Sequence, residues 1–105
     1  MKILEKRYRG SLICRVMGYP ITYAIVKLLL EQGPLDLESI TAQVGRAKNT
    51  VCGHLSKLKL AQLIRYEKKG GKTLYWIKYQ DELREFMNIC ENLVKRISRR
   101  IEYDY

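Results

Sequence analysis

The basic residues in the middle of the chain point to one kind of chemistry, the binding of phosphates. Residues 39–66 contain no Asp or Glu, although the chain as a whole carries both signs of charge and a formal net charge of +9. A cationic surface without acids attracts polyanions through its summed potential and through counterion release. We therefore take this segment as the candidate DNA surface; its basic residues are Arg46, Lys48, Lys57, Lys59 and Arg65.

The segment from Ala47 to Leu60 is predicted to be the helix that presents this surface. Apolar residues at positions 51, 55 and 58 define its buried side. The residues on or beside its outward side, with one residue of the preceding turn, are the predicted DNA-binding residues: Arg46, Lys48, Asn49, Thr50, Gly53, His54 and Lys57. Asn49 suits adenine, Lys48 suits guanine, and Gly53 allows a close approach of the backbone. His54 could donate to a phosphate or pack beneath the helix.

A shorter helix is predicted immediately before it. Asp36 is placed to cap this helix, its buried residues are Leu37, Ile40 and Val44, and Gly45 ends it. Two helices joined by a tight glycine turn, the second more basic than the first, are typical of a helix-turn-helix.

A β-hairpin is predicted after the basic helix. Residues 63–79 read LIRYEKKGGKTLYWIKY, in which β-branched and aromatic residues flank a Gly-Gly turn. We expect two strands, with Lys68, Lys69 and Lys72 at the tip. These lysines either contact phosphates beside the groove or protect the exposed strand edges from aggregation.

The remaining helices are predicted over residues 3–17, 20–32 and 81–102. The first and last have longer apolar faces than a domain of this size can cover, which favours a homodimer. The residues expected at its interface are Leu4, Leu12, Ile13, Phe86, Met87, Cys90, Leu93, Val94, Ile97 and Ile101. A two-fold pair would place two recognition helices roughly 34 Å apart, so a near-palindromic DNA site is expected.

The residues of this sequence do not support an enzymatic function. The chain has one histidine, and no catalytic triad, nucleotide-binding glycine loop or paired-carboxylate cleft can be assembled, so we expect no enzyme and no cofactor. Its cysteines, Cys14, Cys52 and Cys90, match no disulfide framework or metal-binding spacing, so no metal site is expected. Cys14 and Cys90 either fill apolar surroundings or sense oxidants.

Membrane insertion and export are not expected. Charges interrupt every apolar run of the N-terminal MKILEKRYRG, and no window approaches the roughly 18 apolar residues of a membrane span. We expect a cytoplasmic protein associated with the nucleoid.

The sequence resembles the ArsR-type (arsenic-repressor-like) family of winged-helix regulators over about residues 12–98. The family pattern V-S-x-H-L-x-x-L reads VCGHLSKL at residues 51–58 and is followed by LIR and a glycine-tipped wing. Three positions depart from the pattern: Ala47 and Cys52 stand where serine is usual, and Gln62 stands for a frequent glycine. The cysteine run and the acid/histidine array of metal-sensing members are absent, so no metal-sensing role is carried over.

The resemblance implies a mainly α winged helix-turn-helix with a small β-hairpin, in the order helix, helix, helix, helix, wing, helix. Residues 1–105 are then a single DNA-binding domain that dimerises through its first and last helices. The implied function is a homodimeric, sequence-specific regulator of transcription on double-stranded DNA, more often a repressor. An architectural protein that coats DNA without sequence preference and a protein-interaction module are the alternatives. The operator, the regulated genes and any controlling signal stay open.

Overall fold

The computed structural model describes the backbone of residues 5–104 and the side chains of residues 7–98. Within that range a 3-10 turn at Glu5–Tyr8 precedes the regular elements. In chain order these are α1 (Gly10–Met17), α2 (Pro20–Gln32), β1 (Leu35–Asp36), α3 (Leu37–Val44), α4 (Lys48–Leu60), β2 (Ile64–Lys69), β3 (Lys72–Ile77) and α5 (Gln80–Asp104). The predicted winged helix-turn-helix order is confirmed.

Two predicted elements differ from the structure. The first helix begins at Gly10 rather than at Ile3, since glycine is a poor interior helix residue and the chain before it turns as a 3-10 helix. The predicted two-stranded hairpin is confirmed as β2 and β3, but it belongs to a three-stranded antiparallel sheet of order β1-β3-β2, whose strand β1 was not predicted. The added strand β1 contains only two residues, with Leu35 opposite Tyr75 and Asp36 opposite Leu74.

The core lies between α2, α3, α4 and the sheet. Val51, Leu55 and Leu58 of α4 are at most 1% exposed, which confirms the predicted buried side of that helix. They pack with Ile25, Ile40 and other apolar residues of the same cluster. Because three inward residues at helical spacing are fixed in this core, the opposite side of α4 must face outward.

Local geometry fixes both ends of α3, the first helix of the helix-turn-helix. Asp36 Oδ1 accepts a hydrogen bond from the Ser39 backbone N–H at 2.8 Å, so the predicted cap of α3 is confirmed. Gly45 ends α3 with a φ of 70°, a left-handed conformation that glycine adopts without steric cost. Lys48 begins α4 three residues later. This short connection positions α4 against α3.

The end of α4 has an unusual residue at its left-handed position. The N–H of Leu63 donates to Leu58 O and the N–H of Gln62 donates to Lys59 O, the two bonds of a Schellman motif. That motif needs a positive φ at the residue directly after the C-cap, and Gln62, which follows the C-cap Ala61, adopts a φ of 59°. Gln62, which stands where the family pattern frequently has glycine, therefore adopts a strained backbone conformation.

Among the described residues, no single helix is both long enough and apolar enough to cross a membrane; α1 and α2 meet that requirement only as a pair bent by 94°.

Candidate nucleic-acid interface

The outward side of α4 carries the residues that the sequence predicted there. Lys48, Asn49, Thr50 and Gly53 are exposed, as is Arg46 in the preceding turn, whose guanidinium donates to the Gly45 carbonyl oxygen. The remaining two predicted residues of this helix, at positions 54 and 57, are half-buried beside α2. The structure thus brings the predicted set together on one helix, and its DNA-binding role stays a prediction.

Gly53 is at the centre of the exposed side of α4. A Cβ built at this position would meet no atom within 4 Å, and its φ is not in the left-handed region. Neither packing nor backbone conformation therefore requires glycine here. Ser56, one turn further along the same side, is also exposed and was not predicted as part of the surface.

His54 contacts α2 through its side chain. Thr22 Oγ1 lies 2.9 Å from His54 Nδ1, and Thr22 is completely buried. The Tyr19 ring meets the imidazole edge-on, with 5.7 Å between ring centroids. Burial, with a smaller contribution from the Lys57 charge, lowers the pKa of His54 below its ordinary value. Of the two roles that the sequence left open, the geometry favours packing beneath the helix.

Two lysines of α4 lie on tyrosine rings. Lys57 Nζ is 4.1 Å from the centroid of the Tyr19 ring, and Lys59 Nζ is 4.2 Å from that of the Tyr66 ring. Lys59 also lies 5.4 Å from the ring of Tyr75. The sequence analysis included Lys59 in the candidate DNA surface, but it predicted neither of the two lysine–tyrosine contacts. No sequence pattern reveals these pairs, because Lys57 and Tyr19 are far apart in the chain, and Lys59 and Tyr66 belong to different elements, α4 and β2.

The wing tip is a Gly-Gly turn with positive φ at both glycines, as a two-residue hairpin requires. The predicted tip lysines differ in their surroundings. Lys72 Nζ lies 3.4 Å from Asp36 Oδ2, so its charge is partly balanced. Lys68 and Lys69 are exposed, and within residues 7–98 neither has a carboxylate within 4.0 Å.

The predicted interface residues of α5 fall into two groups. Leu93, Val94 and Ile97 are between 52% and 61% exposed, and Ile89, which the prediction missed, extends this stripe by one helical turn at 55%. Phe86 and Cys90 are half-buried. Met87 is only 4% exposed because this side of α5 packs into the core of the chain itself, so its assignment to the interface is corrected.

The N-terminal part of the predicted interface is less complete. Leu12 of α1 is 50% exposed and Ile13 is half-buried against the core. Leu4 and the side chain of Ile101 lie outside the described residues.

The three cysteines are free thiols. Cys14 is exposed, so it does not fill the core of the single chain, and Cys52 and Cys90 are half-buried. In the part of the chain that the structure describes, no three His, Cys, Asp or Glu side chains converge as metal ligands.

Comparison with known proteins shows similarity to one protein in sequence and to several solved structures in fold. No protein-family model matches the chain. Over 90 residues it is 28% identical to an uncharacterised helix-turn-helix-type transcriptional regulator of Methanocaldococcus jannaschii, a match that covers 86% of this chain and 100% of that protein.

Solved structures of low sequence identity share the fold. The transcriptional repressor BigR of Xylella fastidiosa matches with a TM-score of 0.75 at 13% identity, over 85% of this chain and 89% of that one. The homodimeric winged helix-turn-helix domain of a possible ArsR-family regulator of Mycobacterium bovis matches with a TM-score of 0.72 at 22% identity, over 93% of both chains. The fold resemblance to ArsR-type regulators that the sequence predicted is confirmed.

Proposed function

We propose that this protein is a sequence-specific transcription regulator, and more specifically a repressor, that binds double-stranded DNA as a homodimer. One observation carries the proposal: the exposed side of α4 presents Lys48, Asn49, Thr50 and Gly53, within a segment of 28 residues, 39–66, that contains no acid. The similarity to a repressor and to a helix-turn-helix regulator supports the same function.

The exposed side chains match what the major groove offers. The amide of Asn49 can donate to and accept from one adenine, and the ammonium of Lys48 suits the two acceptors of guanine. Thr50 can bind a phosphate or contact a thymine methyl. Without a side chain at Gly53, the helix backbone can come closer to the bases. Exposed Lys68 and Lys69 at the wing tip suit the neighbouring phosphates.

The homodimer is inferred from the apolar stripe of α5. Ile89, Leu93 and Ile97 recur every four residues and are all more than half exposed. A second copy, related by a two-fold axis, could cover this stripe with its own. Such a dimer directs its two α4 helices to half-sites about 10 base pairs apart, so the operator is expected to be near-palindromic.

We infer binding rather than catalysis. The single histidine, His54, has Thr22 at its Nδ1 and a tyrosine ring at its edge, and neither group is an orienting acid. A regulator of this kind would act in the cytoplasm on nucleoid DNA.

Selection of bound fragments from the source genome, followed by competition with random duplex, tests the proposal. We expect the selected site to bind at least roughly a thousandfold tighter than random duplex at one fixed salt concentration. Equal affinity for both would support the architectural alternative and contradict sequence-specific regulation.

Two alanine variants test how the roles are divided. Lys48→Ala should weaken binding most at particular base pairs, because it removes a contact to a base edge. Lys69→Ala should weaken binding to all sequences alike and reduce the salt dependence. Indistinguishable effects on selected and mutated sites would contradict the assignment.

A further inference from the structure

Two lysine–tyrosine pairs flank the recognition surface, one on each side of α4. Residues 57 and 59 are two positions apart, so their side chains leave the helix about 200° from one another. Lys57 reaches toward α2 and rests on Tyr19, whereas Lys59 reaches toward the sheet and rests on Tyr66. The exposed residues Gly53 and Ser56 lie between the two pairs on the same helix.

The rings hold the ammonium groups without neutralising them. A cation over an aromatic face is attracted by the ring quadrupole, by about 0.5–1 kcal/mol at exposed sites, and keeps its full charge. Within residues 7–98, neither Lys57 nor Lys59 has a carboxylate within 4.0 Å. A lysine restrained in this way has lost part of its rotamer freedom before a ligand arrives. Both charges therefore remain available to an anion at a fixed position.

We propose that Lys57 and Lys59 bind phosphates on opposite sides of the groove that α4 enters, and that Tyr19 and Tyr66 are positioning residues that hold these lysines ready. The inference rests on the proposed DNA-binding function. It gives Lys59 of the candidate DNA surface a specific contact and adds two residues to the site, Tyr19 and Tyr66. The phosphate contacts fix the depth and orientation of α4, and they carry no sequence information themselves.

The lysine part of the inference is tested by the salt dependence of binding. Affinity of the full chain for the selected duplex and for random duplex is measured over a series of salt concentrations. Each contact to a phosphate contributes about 0.9 to the slope of log K against log salt. We expect Lys57→Ala and Lys59→Ala each to reduce the slope by about that amount on both duplexes. An unchanged slope for Lys59→Ala would overturn the inference.

A matched control distinguishes the loss of a phosphate contact from a general effect of the protein's total charge. Lys78 also lies over a tyrosine ring, 5.1 Å from that of Tyr79, but it follows β3 at the end away from the wing tip. Lys78→Ala removes the same charge and should leave the slope unchanged. If its slope falls as much as that of Lys59→Ala, the effect is one of bulk charge and the inference fails.

The role of the two tyrosines is tested by the affinity itself rather than by its salt dependence. Tyr19→Leu and Tyr66→Leu leave the lysines able to reach the phosphates, so the slope should stay at the wild-type value. Affinity should fall about two- to fivefold at every salt concentration, because a lysine without its ring loses more rotamer freedom when it binds a phosphate. Tyr19→Phe and Tyr66→Phe keep the rings and should restore wild-type affinity.

Thermal unfolding of the leucine variants tests whether weaker binding comes from a loss of the folded structure. Affinities are compared at a temperature where each variant is folded. Leucine variants that bind as tightly as wild type would refute positioning by the rings. These results are distinguishable from failure of the proposed function, because the preference of the wild-type protein for its selected site is measured in the same titrations.

Discussion

Thr22 and His54 join the second helix to the recognition helix through a single side-chain contact of 2.9 Å. The threonine is fully buried, so its hydroxyl has no water to replace this partner. A buried polar group that loses its partner costs more than the bond itself contributes. The contact therefore adds a polar link between α2 and α4 to the packing of Val51, Leu55 and Leu58 in the core.

Thr22→Val should lower the free energy of unfolding by about 1 kcal/mol, because it removes the hydroxyl at nearly constant volume and leaves His54 Nδ1 unpaired. Urea denaturation at neutral pH measures the change. Thr50→Val, at an exposed position of α4, is the matched control and should have little effect. Equal effects at both positions would show that the contact adds no stability.

Stability should fall on mild acidification because of His54. Its pKa is lowered in the folded protein by burial and by Lys57, so the unfolded chain binds the proton more readily. The contribution of the neutral ring is present above the ordinary value of 6.5 and is lost as the pH falls below it toward the folded pKa. His54→Gln, compared with wild type by urea denaturation on both sides of that value, should show a weaker pH dependence. Parallel curves for the two proteins would contradict this prediction.

Gly53→Ala should separate stability from binding. Alanine is about 1 kcal/mol more favourable than glycine within a helix, and the added Cβ meets no atom within 4 Å, so the variant should be more stable. The same methyl group lies where α4 would approach the bases, so affinity for the selected duplex should fall. Thermal unfolding and a binding titration measure the two effects. Increased stability with unchanged affinity would remove Gly53 from the interface.

Gln62→Gly should stabilise the protein by roughly 0.5–1 kcal/mol. A left-handed conformation costs a non-glycine residue about 1–2 kcal/mol, of which the greater entropy of unfolded glycine offsets part. Gln62→Ala retains the strain and is the control. Chemical denaturation of both variants tests the prediction, and a gain of the same size with alanine would assign the effect to the lost side chain instead.

Leu93→Glu should dissociate the proposed dimer. The substitution places a charge in the middle of the exposed stripe of α5, where burial against a second copy would leave it unpaired. Analytical ultracentrifugation over a concentration series measures the change. Asn92→Glu introduces the same charge at the neighbouring exposed position, outside the stripe, and should leave the association intact. Wild-type protein that sediments as a monomer at all concentrations would refute the interface.

Much of the fold could be predicted because its determinants are local in sequence. The buried side of α4 follows from three apolar residues at helical spacing, and the cap of α3 from one aspartate. What escaped prediction depends on contacts between distant segments. Strand β1 exists only because Leu35 pairs with Tyr75, and two residues carry no periodic signal of their own.

The same reason applies to the candidate site. The set of outward residues follows from periodicity, but Lys57 over Tyr19 and Lys59 over Tyr66 require the tertiary structure. Met87 shows that helical periodicity does not reveal whether an apolar residue is covered by its own chain or by a second copy. Its position on the apolar side of α5 is correct, and only the packed structure reveals that the chain covers it with its own core.

Strand β1 joins the wing directly to the first helix of the helix-turn-helix. Asp36 is the last residue of β1, the cap of α3, the partner of Leu74 in the sheet and the counter-charge of Lys72. Through these contacts the wing is linked to α3, and the short turn after Gly45 links α3 to the recognition helix α4. If α4 and the wing contact DNA as proposed, their relative placement would favour DNA whose groove width already matches it.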